Sequence, residues 1–134
     1  MQFFTTLLLA AASFAAAAPT EGASENAAPK LEARAYSGDM TYYTAGLGAC
    51  GQTNNNNDAI VALPSHFFTA ANPNKDPQCN RTIRITYKGK SKTAKVVDKC
   101  AGCAGNSIDV TPSVFTALVG GLSAGRVQVT WDFV

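Results

Sequence analysis

The chain has 134 residues, 15% of them charged, four cysteines and a formal net charge of +2 at pH 7. That length holds one ordinary domain, and no run approaches the roughly 18 consecutive apolar residues of a membrane-spanning helix. A weak positive balance without any recognisable nucleic-acid motif argues against nucleic acid as a partner.

Residues 3–9 are mostly apolar, residues 10–18 mostly alanine, and Ala16-Ala17-Ala18 suits a signal peptidase that wants small side chains. Residues 1–18 are therefore read as a signal peptide, although no Lys or Arg precedes the apolar run. The protein is expected outside the cell or in the cell wall, with no membrane partner. Residues 19–35 carry Ala, Glu, Pro, Ser and Asn with one Leu and no aromatic. Such a stretch buries too little to offset its ordering entropy, so it reads as a pro-segment or disordered tail, trimmed after Arg34. Residues 36–134 remain as the folded domain.

The strands of that domain are short. Residues 39–44 alternate, with Thr41 and Tyr43 on the parity opposite Met40, Tyr42 and Thr44. A Gly-rich turn at 45–48 and a polar Asn loop at 54–57 follow, then an apolar strand at 59–63. Residues 65–71 suit one or two helical turns before Asn72-Pro73 stops them. Residues 82–87 alternate cleanly, 88–90 turn the chain, and 93–97 return it as a hairpin. Residues 108–110 form a brief strand. Thr111 then caps a helix with Pro112 first, Val114, Phe115 and Leu118 inward, and Gly120-Gly121 past its end. A last strand at 126–134 puts Val127, Val129, Trp131 and Phe133 on one face, with Trp131 in the core. Phe67 and Phe68 are assigned to the core too. About six short strands and one good helix indicate a small β-barrel.

Cys50, Cys79, Cys100 and Cys103 in an exported chain read as two disulfides, with three connectivities open. Cys50–Cys79 with Cys100–Cys103 is preferred, because the short Cys100-x-x-Cys103 loop leaves the distant pair to each other. Neither a zinc site nor a thioredoxin-like redox site fits the export signal and the absence of a βαβ pattern. No metal and no cofactor are expected. Residues 36–134 hold nine Lys or Arg against six Asp, five of the nine between Lys88 and Lys99. This basic hairpin either attracts acidic polymers or keeps an edge strand soluble. His66 has no catalytic companion, and Asn80-Arg81-Thr82 is an N-glycosylation sequon.

Five segments in order carry a resemblance: Gly38-Asp39-Met40-Thr41-Tyr42-Tyr43, Gly48-Ala49-Cys50-Gly51, Val97-Asp98, Ile108-Asp109-Val110-Thr111, and Gly125-Arg126-Val127-Gln128-Val129-Thr130-Trp131. Together they resemble the barrel of expansins, single-domain fungal loosenins and rare-lipoprotein-A-like domains. The resemblance implies an all-β fold, a six-stranded double-psi β-barrel with one or two short helices. It also implies a groove with Thr41, Asp98 and Asp109 against cell-wall polysaccharide. Tyr43, on the face of Thr41, is the aromatic platform candidate; Cys100 stands where bacterial expansins have a tyrosine.

Asp109 resembles the general acid of family-45 glycoside hydrolases, but residues 42–45, where their base belongs, hold no acid. Hydrolysis needs both carboxyls. The expected function is therefore a monomeric, non-hydrolytic protein that binds and loosens glucan or chitin. Two rivals stand beside it: an inhibitor of papain-like cysteine proteases acting through surface loops, and a lytic transglycosylase-like enzyme using Asp109. A purely structural role is also open, with Asp98 accepting from backbone amides and Asp109 serving the helix N-terminus.

Overall fold

The computed structural model describes residues 35–134; the expected signal segment and all but the last residue of the expected pro-segment lie outside the described residues. The strands are β1 (Tyr36–Tyr42), β2 (Ile60–Pro64), β3 (Thr82–Tyr87), β4 (Lys90–Cys100), β5 (Ile108–Val110) and β6 (Val127–Phe133), with one helix, α1 (Pro112–Val119). They close a barrel in the order β1-β5-β2-β4-β3-β6. β1 runs parallel to β5 and β2 parallel to β4, while the remaining neighbours are antiparallel.

The β3–β4 hairpin follows from its sequence. Ile83 and Ile85 alternate into the core, and the two-residue turn places Lys88 (φ 46°) and Gly89 (φ 84°) in the left-handed region. That is the twist a tight hairpin wants. β4 is longer than the expected 93–97 and no simple edge. β2 pairs with it only from Lys95 onward, so the half bearing Lys90 and Lys92 borders β3 alone.

The core gathers Met40, Ile85, Val96, Phe115, Leu118 and Trp131. An eight-residue helix is too short to persist alone; α1 is held because Val114, Phe115 and Leu118 are buried. It ends at Gly120 (φ 97°), whose N–H donates to Thr116 O, the left-handed cap that glycine takes without strain. Trp131 is 1% exposed, stacks on Tyr36 at 4.5 Å and donates from Nε1 to Asn106 O at 2.8 Å. Phe67 and Phe68 are partly buried against this core.

Two local expectations are corrected. Thr111 occupies the N-cap position of α1 without making a side-chain cap; its hydroxyl donates to Asp58 O at 2.6 Å, tying the helix start to the Asn loop. The helical turns expected at 65–71 shrink to a 3-10 turn at Ser65–Phe67. Asp76 explains why: its Oδ2 accepts from Thr69 N at 2.7 Å and Ala70 N at 2.6 Å, pulling both amides out of any helix. Burial pushes the Asp76 carboxyl up, but the amides of Ala70, Gln78 and Thr69, with Lys99 nearby, hold it below the ordinary carboxylate range.

Both disulfides have the preferred pairing, Cys50–Cys79 and Cys100–Cys103.

Candidate functional site

The site begins with a register. Thr41 on β1 lies opposite Asp109 on β5, Asp109 lies opposite Ala62 on β2, and Ala62 lies opposite Asp98 on β4. Residues paired across a sheet share a face, so these four form one lateral row over four strands. The row depends on an irregularity. Val61 pairs with Val96 but Ala62 with Asp98, so Val97 is the extra residue of a bulge, a rare feature in a parallel pair. Regular pairing would put Val97 in the row and turn Asp98 to the other face.

The loop after β1 clamps this bulge. Cys50 N donates to Val97 O at 3.1 Å, and Asp98 Oδ1 accepts from Ala49 N and Lys99 N, both at 2.8 Å. The expectation that Asp98 serves backbone amides at a strand end is therefore met by one of its oxygens. Asp109 does not serve the helix: its Oδ1 accepts from the Thr41 hydroxyl at 2.9 Å.

Asp109 is half-buried, and desolvation pushes its carboxyl above the ordinary range. The Thr41 hydrogen bond opposes this, the charge of Asp98 adds to it, and Arg126 opposes it. Tyr43 extends β1 by one more bond, its N–H donating to Val110 O at 2.9 Å, which keeps it on the face of Thr41. Burial first, then the negative charges of Asp98 and Asp109, push the phenol well above its ordinary value. Tyr43 is thus a protonated hydroxyl beside two carboxylates, with Asp98 within its reach.

Beside the row opens a cleft of about 520 Å³, lined by Thr41, Asp109, Ser107, Asp39, Arg126 and the Cys100–Cys103 loop. Sequence reasoning missed Asp39 and Arg126. Arg126 holds Asp39 Oδ2 at 3.0 Å, and Gln128 Nε2 donates to Oδ1. Two signals were available: Asp39 shares the parity of Thr41 and Tyr43, and Arg126 precedes the strand that pairs with β1. Asn80 stands apart, exposed at φ 71°, its Oδ1 accepting from Gln52.

The raised Asp109 carboxyl has a thermodynamic consequence. The folded protein holds this proton at pH values where the unfolded chain, near pH 4, has lost it. Stability from Asp109 is thus fully present below the unfolded value and declines as pH rises through the folded one. Asp109→Asn, whose amide oxygen still accepts from Thr41, is expected to melt above the wild type at pH 7, the gap closing below about pH 4. Melting curves from pH 3 to pH 8 check this; a gap independent of pH would contradict it.

No family model matches the chain. It is 40% identical over 111 residues to the Asp f 7 allergen homolog of Arthroderma benhamiae, covering 72% of this chain and 38% of that protein. It is 39% identical over 101 residues to the papain inhibitor of Streptomyces mobaraensis, covering 72% of this chain and 70% of the inhibitor. The chain thus spans well under half of the allergen homolog but most of the inhibitor. Among solved structures, the Streptomyces papain inhibitor superposes with a TM-score of 0.70 at 38% identity, covering 75% of this chain and 94% of the inhibitor. An expansin of Clavibacter michiganensis in complex with cellohexaose superposes at 0.64, with 22% identity, 75% of this chain and half of the expansin. That last likeness speaks for the fold, and the closed six-stranded barrel is the double-psi β-barrel expected from the motifs. By sequence and by architecture together, the chain belongs to the family of the Streptomyces papain inhibitor.

Proposed function

We propose that the protein is an exported inhibitor of papain-like cysteine proteases. One observation carries the reading: the likeness to the papain inhibitor runs over 94% of that solved chain at 38% identity, so nearly all of the inhibitor scaffold has a counterpart here. The cleft chemistry agrees with a protein that does not hydrolyse glycosides. Asp109 has the raised carboxyl of an acid, but Asp39 is paired with Arg126 and one oxygen of Asp98 is committed to backbone amides. Among the described residues around the cleft, the two carboxylates beside Asp109 are thus both engaged, which does not favour either as the base that hydrolysis requires. The test is papain's turnover of a small peptide substrate with added wild-type protein or Asp109→Ala. The expected result is inhibition by both, within twofold of each other. An unslowed protease at large molar excess would overturn the reading.

A second reading rests on the lateral row itself. Thr41, Asp98, Asp109 and the protonated Tyr43 set hydroxyl and carboxylate oxygens side by side, groups that can exchange hydrogen bonds with the hydroxyls of a cell-wall glucan or chitin. Depletion from solution by insoluble chitin, cellulose or peptidoglycan, weakened by Asp109→Ala, would favour it. New soluble sugar ends lost with Asp109→Asn would favour the lytic enzyme instead.

A further inference from the structure

The loop between β1 and β2 holds an apolar side chain in water. Leu47 is 76% exposed, a placement the fold gains nothing from. Yet the backbone beneath it is tightly held. Leu47 and Thr53 form an antiparallel bridge; Gly48 N donates to Gln52 O at 2.9 Å and Asn54 N to Gly46 O at 3.0 Å. Ala45 N donates to Asn56 Oδ1 at 2.8 Å, and the Cys50–Cys79 disulfide anchors the base. Leu47 therefore rides on a small braced hairpin whose shape is set before anything binds, which lowers the ordering cost of an encounter.

Two further features fit a contact surface. Residues 44–57 carry no charged side chain, on a domain with nine Lys or Arg and six Asp. An exposed leucine in a segment that otherwise carries Thr, Gln and four Asn has the make-up of an apolar anchor with polar surroundings. Gly46 is the other: a Cβ there meets nothing within 4 Å and the residue is not in the left-handed region, so the fold does not demand glycine. A partner backbone passing close to Leu47 would.

We propose that the Leu47 hairpin is the element that enters the active-site cleft of a papain-like protease, with Leu47 filling an apolar specificity pocket. The proposal rests on the inhibitor reading above and names the surface that performs it, on a loop whose residues do not line the aspartate cleft. The braced loop offers the protease an extended, substrate-like segment, so inhibition is competitive with a small peptide substrate.

The experiment measures the inhibition constant against papain for wild type, Leu47→Asp, Leu47→Met and Gly46→Val, with melting temperatures beside each. Leu47→Asp is expected to weaken inhibition by about 30-fold or more, the loss typical of a central anchor. Gly46→Val should weaken it as well, while Leu47→Met keeps it within a few-fold. Melting temperatures should not move, since neither position packs against the barrel. A wild type that inhibits alongside an equally potent Leu47→Asp overturns the hairpin assignment and leaves the inhibitor reading standing. A wild type that fails to slow papain overturns both.

Discussion

Replacing Cys50 and Cys79 together by alanine is expected to cost about 3–4 kcal/mol and to lower the melting temperature by about 15 °C or more. The two cysteines are 29 residues apart, and the bond removes that much loop freedom from the unfolded chain. The segment it closes contains β2, the 3-10 turn at Ser65–Phe67, a second at Pro73–Lys75 and the Asp76 loop, much of which is coil that the core does not grip. A barrel of about 100 residues has little stability to spare. Opening Cys100–Cys103, three residues apart, should cost clearly less, because so short a loop had little freedom to lose. Thermal melts of the two double variants, under identical buffer, test the order. Equal losses would show that native contacts around each bridge, and not the closed loop, set its worth. The Cys50–Cys79 variant should also lose protease inhibition at temperatures where the barrel is still folded, since Cys50 is the base of the Leu47 hairpin.

How much of this was legible in the sequence depends on whether the cause was local. The alternation at Thr82–Tyr87 and the Pro112-to-Gly120 helix are written in adjacent residues, and both appear as read. β4 runs past the expected Val97; its bulge puts Val96 and Val97 both out of solvent, which breaks the period-two signal at that end. Asp98 could be nominated from its motif, but its place in the row is made by pairing with β2, thirty-odd residues earlier. Asp76 went unnoticed for a similar reason: a carboxylate that collects amides six and seven residues away has no pattern of its own. Leu47 was invisible as a feature because sequence does not say whether a leucine in a turn is covered.

Gly48→Ala is expected to cost about 2–4 kcal/mol, combining overpacking with the loss of two partly buried hydrogen bonds. A Cβ at this position would collide with Val97 O and sit 3.3 Å from the Asp98 side chain. The first of these is backbone in a bulge already fixed on both flanks, so it has no rotamer by which to move away. The loop must lift instead. Lifting it pulls Cys50 N from Val97 O and Ala49 N from Asp98 Oδ1, which frees one end of the lateral row and loosens the Leu47 hairpin at the same stroke. Gly48→Ala should therefore weaken papain inhibition and any polysaccharide retention together, whereas Leu47→Asp touches only the first and Asp109→Ala only the second. Denaturant unfolding gives the stability loss, and the two binding assays give the rest. If Gly48→Ala proved as stable as the wild type, the loop would be free to ride above the bulge, and the cleft and the hairpin would have to be treated as mechanically independent.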